Sequence, residues 1–180
     1  MSDVSSFPYA LWLVPTDEHQ RLLTEIVDSL AAKFGTPSFC PHATLCSGTW
    51  SSGLSDLKLA TDALCRGLED ISLDVNGLGW TDDYFTFFYI KLSDNPHRVF
   101  NRASSSLDGA HASNVGPHIS LMYSDRVVDI DRLTLSNEIR PALPLQVSFS
   151  SVQLVVPATG NWRDIERWEV RHTVTMNDGR

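Results

Sequence analysis

Pro117-His118-Ile119-Ser120-Leu121-Met122-Tyr123 is the stretch on which this chain turns, because its first five positions repeat an earlier one, Pro41-His42-Ala43-Thr44-Leu45. Each copy runs proline, histidine, apolar residue, hydroxyl residue, leucine. Side chains alternate between the faces of an extended strand, so the histidine and the hydroxyl of each copy share one face and the apolar residues take the other. Two such strands side by side would bring two imidazoles and two hydroxyls onto one small anion. Phosphate suits that set.

The repeat stands above chance. A histidine followed two residues later by Ser or Thr is expected about once among six histidines, and it occurs three times. The third case, His111-Ala112-Ser113, lies in a Gly/Asn/Ala-rich loop without apolar flanks and reads as the chance one. Requiring proline before and leucine after leaves only the two repeats.

Outward from the repeats, seven strands and four helices are expected. Tyr9 to Pro15 reads as a buried strand. Thr16 is placed as an N-cap, and Leu22, Leu23, Ile26, Val27, Leu30, Ala31 and Phe34 recur at helical spacing until Gly35 and Pro37. The first motif strand follows, then a helix carrying Leu57, Ala60, Leu64 and Leu68. Residues 71–79 and Tyr84 to Leu92 read as strands around a turn at Asp82-Asp83, and Asn95-Pro96 as the start of a helix through Ala103. After the second motif come a polar helix around Asp129 to Asn137, a strand from Leu145 to Val156 and one from about Trp168 to Met176. Each motif strand is flanked by helices, which suggests an α+β fold of duplicated halves facing each other across a cleft.

With 180 residues the chain can bury one good core. The net charge of −8 and a pI near 5.1 argue against a polymer-binding basic face, so a small-molecule substrate is expected. No apolar run reaches membrane-spanning length, and Met1 to Ser6 lack the layout of a signal peptide; a cytoplasmic protein without membrane attachment is expected. Cys40, Cys46 and Cys65 form no CxxC pair, and their odd number does not suggest a disulfide framework. Cys40, His42 and Cys46 share a parity, but one strand's side chains form a row rather than a tetrahedron, so buried thiols are expected and no metal or cofactor.

These residues resemble the 2H phosphoesterases, a family named for two H-x-[ST]-x motifs, and within it the cyclic phosphodiesterases of eukaryotic tRNA splicing. The similarity extends over an Ala-Leu-Trp opening strand, the Pro-His-x-Thr motif near residue 40, an aromatic-rich strand before the third helix, the Pro-His-x-Ser-Leu-x-Tyr motif, and Trp168-Glu169. The resemblance implies a bilobal fold over residues 1–180, with two antiparallel sheets lining a central cleft, outer helices and a pseudo-twofold axis, acting without metal and expected as a monomer. It implies opening of ADP-ribose 1″,2″-cyclic phosphate to ADP-ribose 1″-phosphate and of nucleoside 2′,3′-cyclic phosphates to 2′-phosphates. The alternatives are a 2H enzyme acting on RNA ends, including a 2′,5′-ligase-like protein, and a phosphate-binding module without chemistry.

The chemistry also follows from the residues. Water must lose a proton as it attacks phosphorus, and the departing sugar oxygen must gain one on the opposite side. Two imidazoles can do both near neutrality, which predicts a bell-shaped pH profile. By resemblance His42 is the general acid and His118 the general base, with Thr44 and Ser120 on the non-bridging phosphate oxygens. Tyr123 matches a phosphate-side tyrosine of the family, although simple alternation puts it opposite His118 and requires a bend or strand end after Met122. Trp50, Trp162 and Trp168 are candidates for stacking on a base, in Trp162's case from a flexible loop spanning Gly160 to Arg167. His172 is expected to be buried with Trp168, Val170 and Val174, and His19 and His97 to lie on helix surfaces.

Overall fold

The computed structural model describes residues 6–66, 68–69, 71–93, 98–126 and 130–176. Seven strands and four helices follow in the order β1 (Phe7–Pro15), α1 (Asp17–Phe34), β2 (Ala43–Trp50), α2 (Leu54–Cys65), β3 (Ile71–Gly79), β4 (Phe88–Leu92), α3 (Val99–Ser106), β5 (His118–Met122), α4 (Arg132–Ile139), β6 (Gln146–Pro157) and β7 (Trp168–Thr175). This is the expected sequence of elements. Gly35 ends α1 in the left-handed conformation at φ 63°, where glycine has no Cβ to strain.

All pairings are antiparallel, in the order β1-β2-β5-β4-β3-β6-β7 with a further β1–β6 pairing. The strands make two halves of one hydrogen-bonded network, β2-β1-β6-β7 and β3-β4-β5. Long β6 joins them, pairing with β3 through Gln146–Phe149 and with β7 through Ser151–Pro157. The halves meet again at one residue pair, Ala43 with Ile119, between the two motif strands.

Alternation decides which side each residue serves. Tyr9, Leu11 and Leu13 of β1 join the main core with Leu23, Ile26, Val27 and Leu30 of α1 and Leu57 and Leu64 of α2. Ala10 and Trp12 point the other way and pack with Val155, Trp162 and Trp168 on the cleft side. Helices therefore cover the outer faces, and the inner faces are left for the site.

The strand expected from Tyr84 to Leu92 is only Phe88–Leu92, and Tyr84–Thr86 form a 3-10 turn instead. Thr81 closes that turn: its amide donates to the Thr86 carbonyl at 3.0 Å, and its hydroxyl lies 2.6 Å from that of Thr86. Asn95-Pro96 and His97 fall outside the described residues. So does Asp129, and α4 starts instead after Asp131, whose carboxylate accepts from the amides of Leu133 and Thr134 at 3.1 Å. His19 is half-buried rather than on the surface, its Nδ1 accepting the Ser148 amide of β6 at 3.2 Å.

Candidate active site

The pairing of Ala43 with Ile119 places the two motifs against each other. In an antiparallel register centred there, His42 sits across from Ser120 and Thr44 across from His118, with neighbouring Cβ atoms about 5 Å apart. The arrangement is a small square with an imidazole and a hydroxyl from each strand. A local twofold axis passes through the Ala43–Ile119 pair.

Each ring is held in the same way. His42 Nδ1 lies 2.7 Å from the Cys40 carbonyl and His118 Nδ1 lies 2.9 Å from the Gly116 carbonyl, each two residues upstream. A carbonyl only accepts, so both Nδ1 atoms carry hydrogen, and Nε2 of each neutral ring is left for the cavity with its lone pair. Trp12 stacks on His42 at 3.6 Å between centroids and 14° between planes. Tyr89 meets His118 edge-on at 5.1 Å, a contact made possible by Gly79, where any Cβ would lie 2.7 Å from the Tyr89 ring.

Two bulges, one after each motif, resolve the position of Tyr123. Against β4, Phe88 pairs with Met122 and Tyr89 with Ser120, so Leu121 is an extra residue. A bulge shifts alternation by one, and Tyr123 returns to the cleft with Ser120 and His118. The first motif does the same: Leu11 pairs with Cys46 and Trp12 with Thr44, which leaves Leu45 extra. The shared parity expected for Cys40, His42 and Cys46 therefore breaks. Cys46 turns into the core, and Ser47 takes the cleft position related by the local twofold to Tyr123. Cys40 is exposed, contrary to the buried thiol expected, and among the described residues no three His, Cys, Asp or Glu converge enough to hold a metal ion.

His42, Thr44, His118, Ser120 and Tyr123 all line one cavity of about 510 Å³. The Ser120 hydroxyl donates to the Phe85 carbonyl at 2.6 Å, which engages its proton. Tyr123 stacks on Phe39 at 3.9 Å. Of the tryptophan candidates, Trp162 and Trp168 line the cavity and are tied together, with Trp168 Nε1 donating to the Trp162 carbonyl at 2.9 Å. Trp50 packs instead against Tyr9 at 6.2 Å and donates to the Gly53 carbonyl, away from the cavity. The expected burial of His172 beside Trp168 also gives way. A bulge at Arg171 puts the two residues on opposite faces of β7, where His172 pairs with Asp62 of α2 at 2.6 Å and Val170 is exposed.

Trp12 and His111, like Ser47 and Arg163, line the cavity although the sequence did not mark them as site residues. Trp12 looked like one more apolar residue of a buried strand. His111, set aside as a chance motif, is bound to β2 by two backbone hydrogen bonds with Ser47 at 3.0 and 2.9 Å, and its Nε2 lies 3.2 Å from the Ser47 hydroxyl. Gly48 permits that approach, since a Cβ there would lie 3.0 Å from the Gly109 carbonyl oxygen. The matching of Gly48 to a loop sixty residues away carries no local sequence signal.

Burial governs the electrostatics. It pushes the His42 imidazole down to about 4; the Cys40 carbonyl opposes the shift and the nearby His118 adds to it. Burial lowers His118 as well, against the Gly116 carbonyl. Both rings are therefore neutral at neutral pH unless an anion lies beside them. Burial also raises the Tyr123 phenol, with the Ser120 hydroxyl opposing, so it stays a neutral hydrogen-bonding group.

Fold and site together define a 2H phosphoesterase. The chain belongs to the cyclic phosphodiesterase-like protein family, whose model matches residues 7–176, and so to a class of phosphodiester-processing hydrolases. It is similar to a cyclic phosphodiesterase of Arabidopsis thaliana, with 20% identity over 127 residues that cover 69% of this chain and 70% of the relative. Among solved structures it shares its fold with E. coli LigT complexed with 3′-AMP, at a TM-score of 0.63, 14% identity and coverage of 96% and 99% of the two chains. Kluyveromyces marxianus Usb1 superposes at a TM-score of 0.50 with 13% identity, covering 97% and 99%.

Proposed function

We propose that this protein hydrolyses cyclic phosphodiesters without metal, opening ADP-ribose 1″,2″-cyclic phosphate to ADP-ribose 1″-phosphate and nucleoside 2′,3′-cyclic phosphates to 2′-phosphates, as a cytoplasmic monomer linked to tRNA splicing. The observation that carries the proposal is the pair of imidazoles, each locked through Nδ1 to its own backbone and each directing Nε2 into one cavity beside a hydroxyl.

The cyclic phosphate sits between the rings. Thr44 and Ser120 hold its non-bridging oxygens, Ser120 releasing the Phe85 carbonyl to do so, and Tyr123 donates from the Ser120 side. His118 takes the proton of the attacking water while the P–O bond to the sugar breaks on the opposite side, and His42 protonates the departing oxygen. A ring depressed to about 4 does not by itself hold that proton at neutral pH. The substrate anion loads it, because a negative charge beside a desolvated imidazole favours the imidazolium, and the Trp12 face stacked on His42 favours the cation further. Trp162 and Trp168 offer aromatic faces to the base or adenine.

The 3′-AMP complex of E. coli LigT, which shares this fold, supports a nucleotide-sized ligand here. An RNA-end substrate is disfavoured by the acidic chain and by a cavity wall with a single Arg or Lys among the described residues, Arg163. Phosphorus NMR on the two classes of cyclic phosphate identifies the monoester formed and hence the oxygen that leaves. Absence of turnover of both would overturn the proposal.

A further inference from the structure

We propose that Arg163 determines substrate choice in this cleft, by holding a second phosphate group beyond the cyclic one and so favouring a nucleoside diphosphate-linked sugar over a mononucleotide. The proposal rests on the cyclic phosphodiesterase reading and names the group that divides its two substrate classes.

A diphosphate brings negative charge that the catalytic square cannot neutralise, since its imidazoles and hydroxyls serve the cyclic phosphate. The protein as a whole is acidic, with a net charge of −8. Among the described residues that line the cavity, Arg163 is the one permanent cation and Asp83 the one carboxylate. A diphosphate entering the cavity therefore has a single guanidinium to meet.

Its placement suits that role. Arg163 follows Trp162 on the loop between β6 and β7. Trp162 lies 6.1 Å from Trp168, which in turn lies 6.0 Å from His42, ring centroid to centroid. The guanidinium itself is placed by Tyr84, whose ring lies 5.8 Å from that of Tyr123, so the cation stands one aromatic ring further out than Tyr123, on the side from which a second anion would approach. The guanidinium lies over the Tyr84 ring at 4.4 Å, which fixes its plane.

The guanidinium is held in waiting by a carboxylate. Arg163 Nη1 and Nη2 donate to Asp125 at 2.8 and 3.2 Å, and the side chains of Arg163 and Asp125 are 54% and 63% exposed. An ion pair so open to water contributes little, so exchanging the carboxylate for a diphosphate costs little, and the guanidinium fork matches phosphate oxygens as well as carboxylate ones. The same contacts could instead serve as a strap that fastens the loop, and the two roles respond oppositely to loss of Asp125.

The test compares wild type, Arg163→Ala and Asp125→Asn on ADP-ribose 1″,2″-cyclic phosphate and adenosine 2′,3′-cyclic phosphate, with calorimetric binding of ADP-ribose and AMP to the same three proteins. Arg163→Ala is expected to lower kcat/KM for the diphosphate substrate about tenfold or more, through KM, and to leave the mononucleotide within about twofold. Asp125→Asn, which frees the cation, should leave or improve the diphosphate substrate. Equal losses on both substrates with Arg163→Ala, or a matching loss with Asp125→Asn, would overturn the proposal in favour of a strap. Binding stands apart from turnover. If neither cyclic phosphate is hydrolysed the hydrolase reading fails, while a loss of ADP-ribose affinity confined to Arg163→Ala still supports the diphosphate contact; equal losses for ADP-ribose and AMP, or no binding of ADP-ribose by wild type, overturn it.

Discussion

Filling the cleft with a phosphate anion should raise the pKa of His42 from about 4 to near neutrality. The free value is low because the ring is buried without a counter-charge, and the neutral Cys40 carbonyl opposes that shift only in part. One negative charge about 4 Å away, at an effective dielectric constant of about 20, contributes about 4 kcal/mol, and about 1.4 kcal/mol moves a pKa by one. The bound ring should therefore titrate about three pH units higher, near 7. The assay is an NMR titration of histidine ring protons with and without saturating nucleoside 2′-phosphate, with the His42 signal assigned by its loss in His42→Ala. A free ring titrating at the ordinary 6.5, or a bound ring still near 4, would refute the reasoning. The kinetic counterpart is a bell for kcat/KM on the acid side of neutrality and a bell for kcat displaced to higher pH, since the first reports the free protein and the second the complex.

Other outcomes follow from the same geometry. Thr44→Ala and Ser120→Ala should each cost less activity than loss of either histidine, about tenfold, because a neutral phosphate ligand is removed and both proton-transfer groups remain; steady-state kinetics checks the ranking. Gly79→Ala would place a Cβ 2.6 to 2.8 Å from Lys91 and Tyr89, so Tyr89 should leave His118 and activity should fall while circular dichroism shows the fold retained. Removing the hydrogen-bonding side chain in His111→Ala should raise KM with little change in kcat, since the backbone bonds to Ser47 persist. Stability should decline as pH falls from about 6.5 to about 4, because the unfolded His42 takes up its proton at the ordinary value and the folded ring does so only near 4; denaturant titrations at several pH values, repeated on His42→Ala, measure that dependence.

Much of this architecture was legible because its signals are local. Apolar spacing and the Gly35 stop define α1, and alternation alone puts His42 with Thr44 and His118 with Ser120. The misses share one physical origin. Bulges at Leu45, Leu121 and Arg171 shift parity by one residue, and a bulge is a relation between two strands that one strand's composition does not encode. They explain why Cys46 left the expected row, why Tyr123 joined the site, and why His172 parted from Trp168. His111 and Trp50 were misjudged for a related reason: a loop docking on Gly48 and a ring packing on Tyr9 are contacts between segments far apart in the chain.

The central claim is that two imidazoles act on one phosphate from opposite sides, and the most direct test is the rate of cyclic phosphate opening in EDTA by wild type, His42→Ala and His118→Ala. The account predicts that wild type is unaffected by EDTA and that each single substitution lowers kcat by about 10²- to 10⁴-fold with the fold intact. Near-wild-type turnover by either variant, or loss of wild-type activity in EDTA restored by a metal ion, would contradict it.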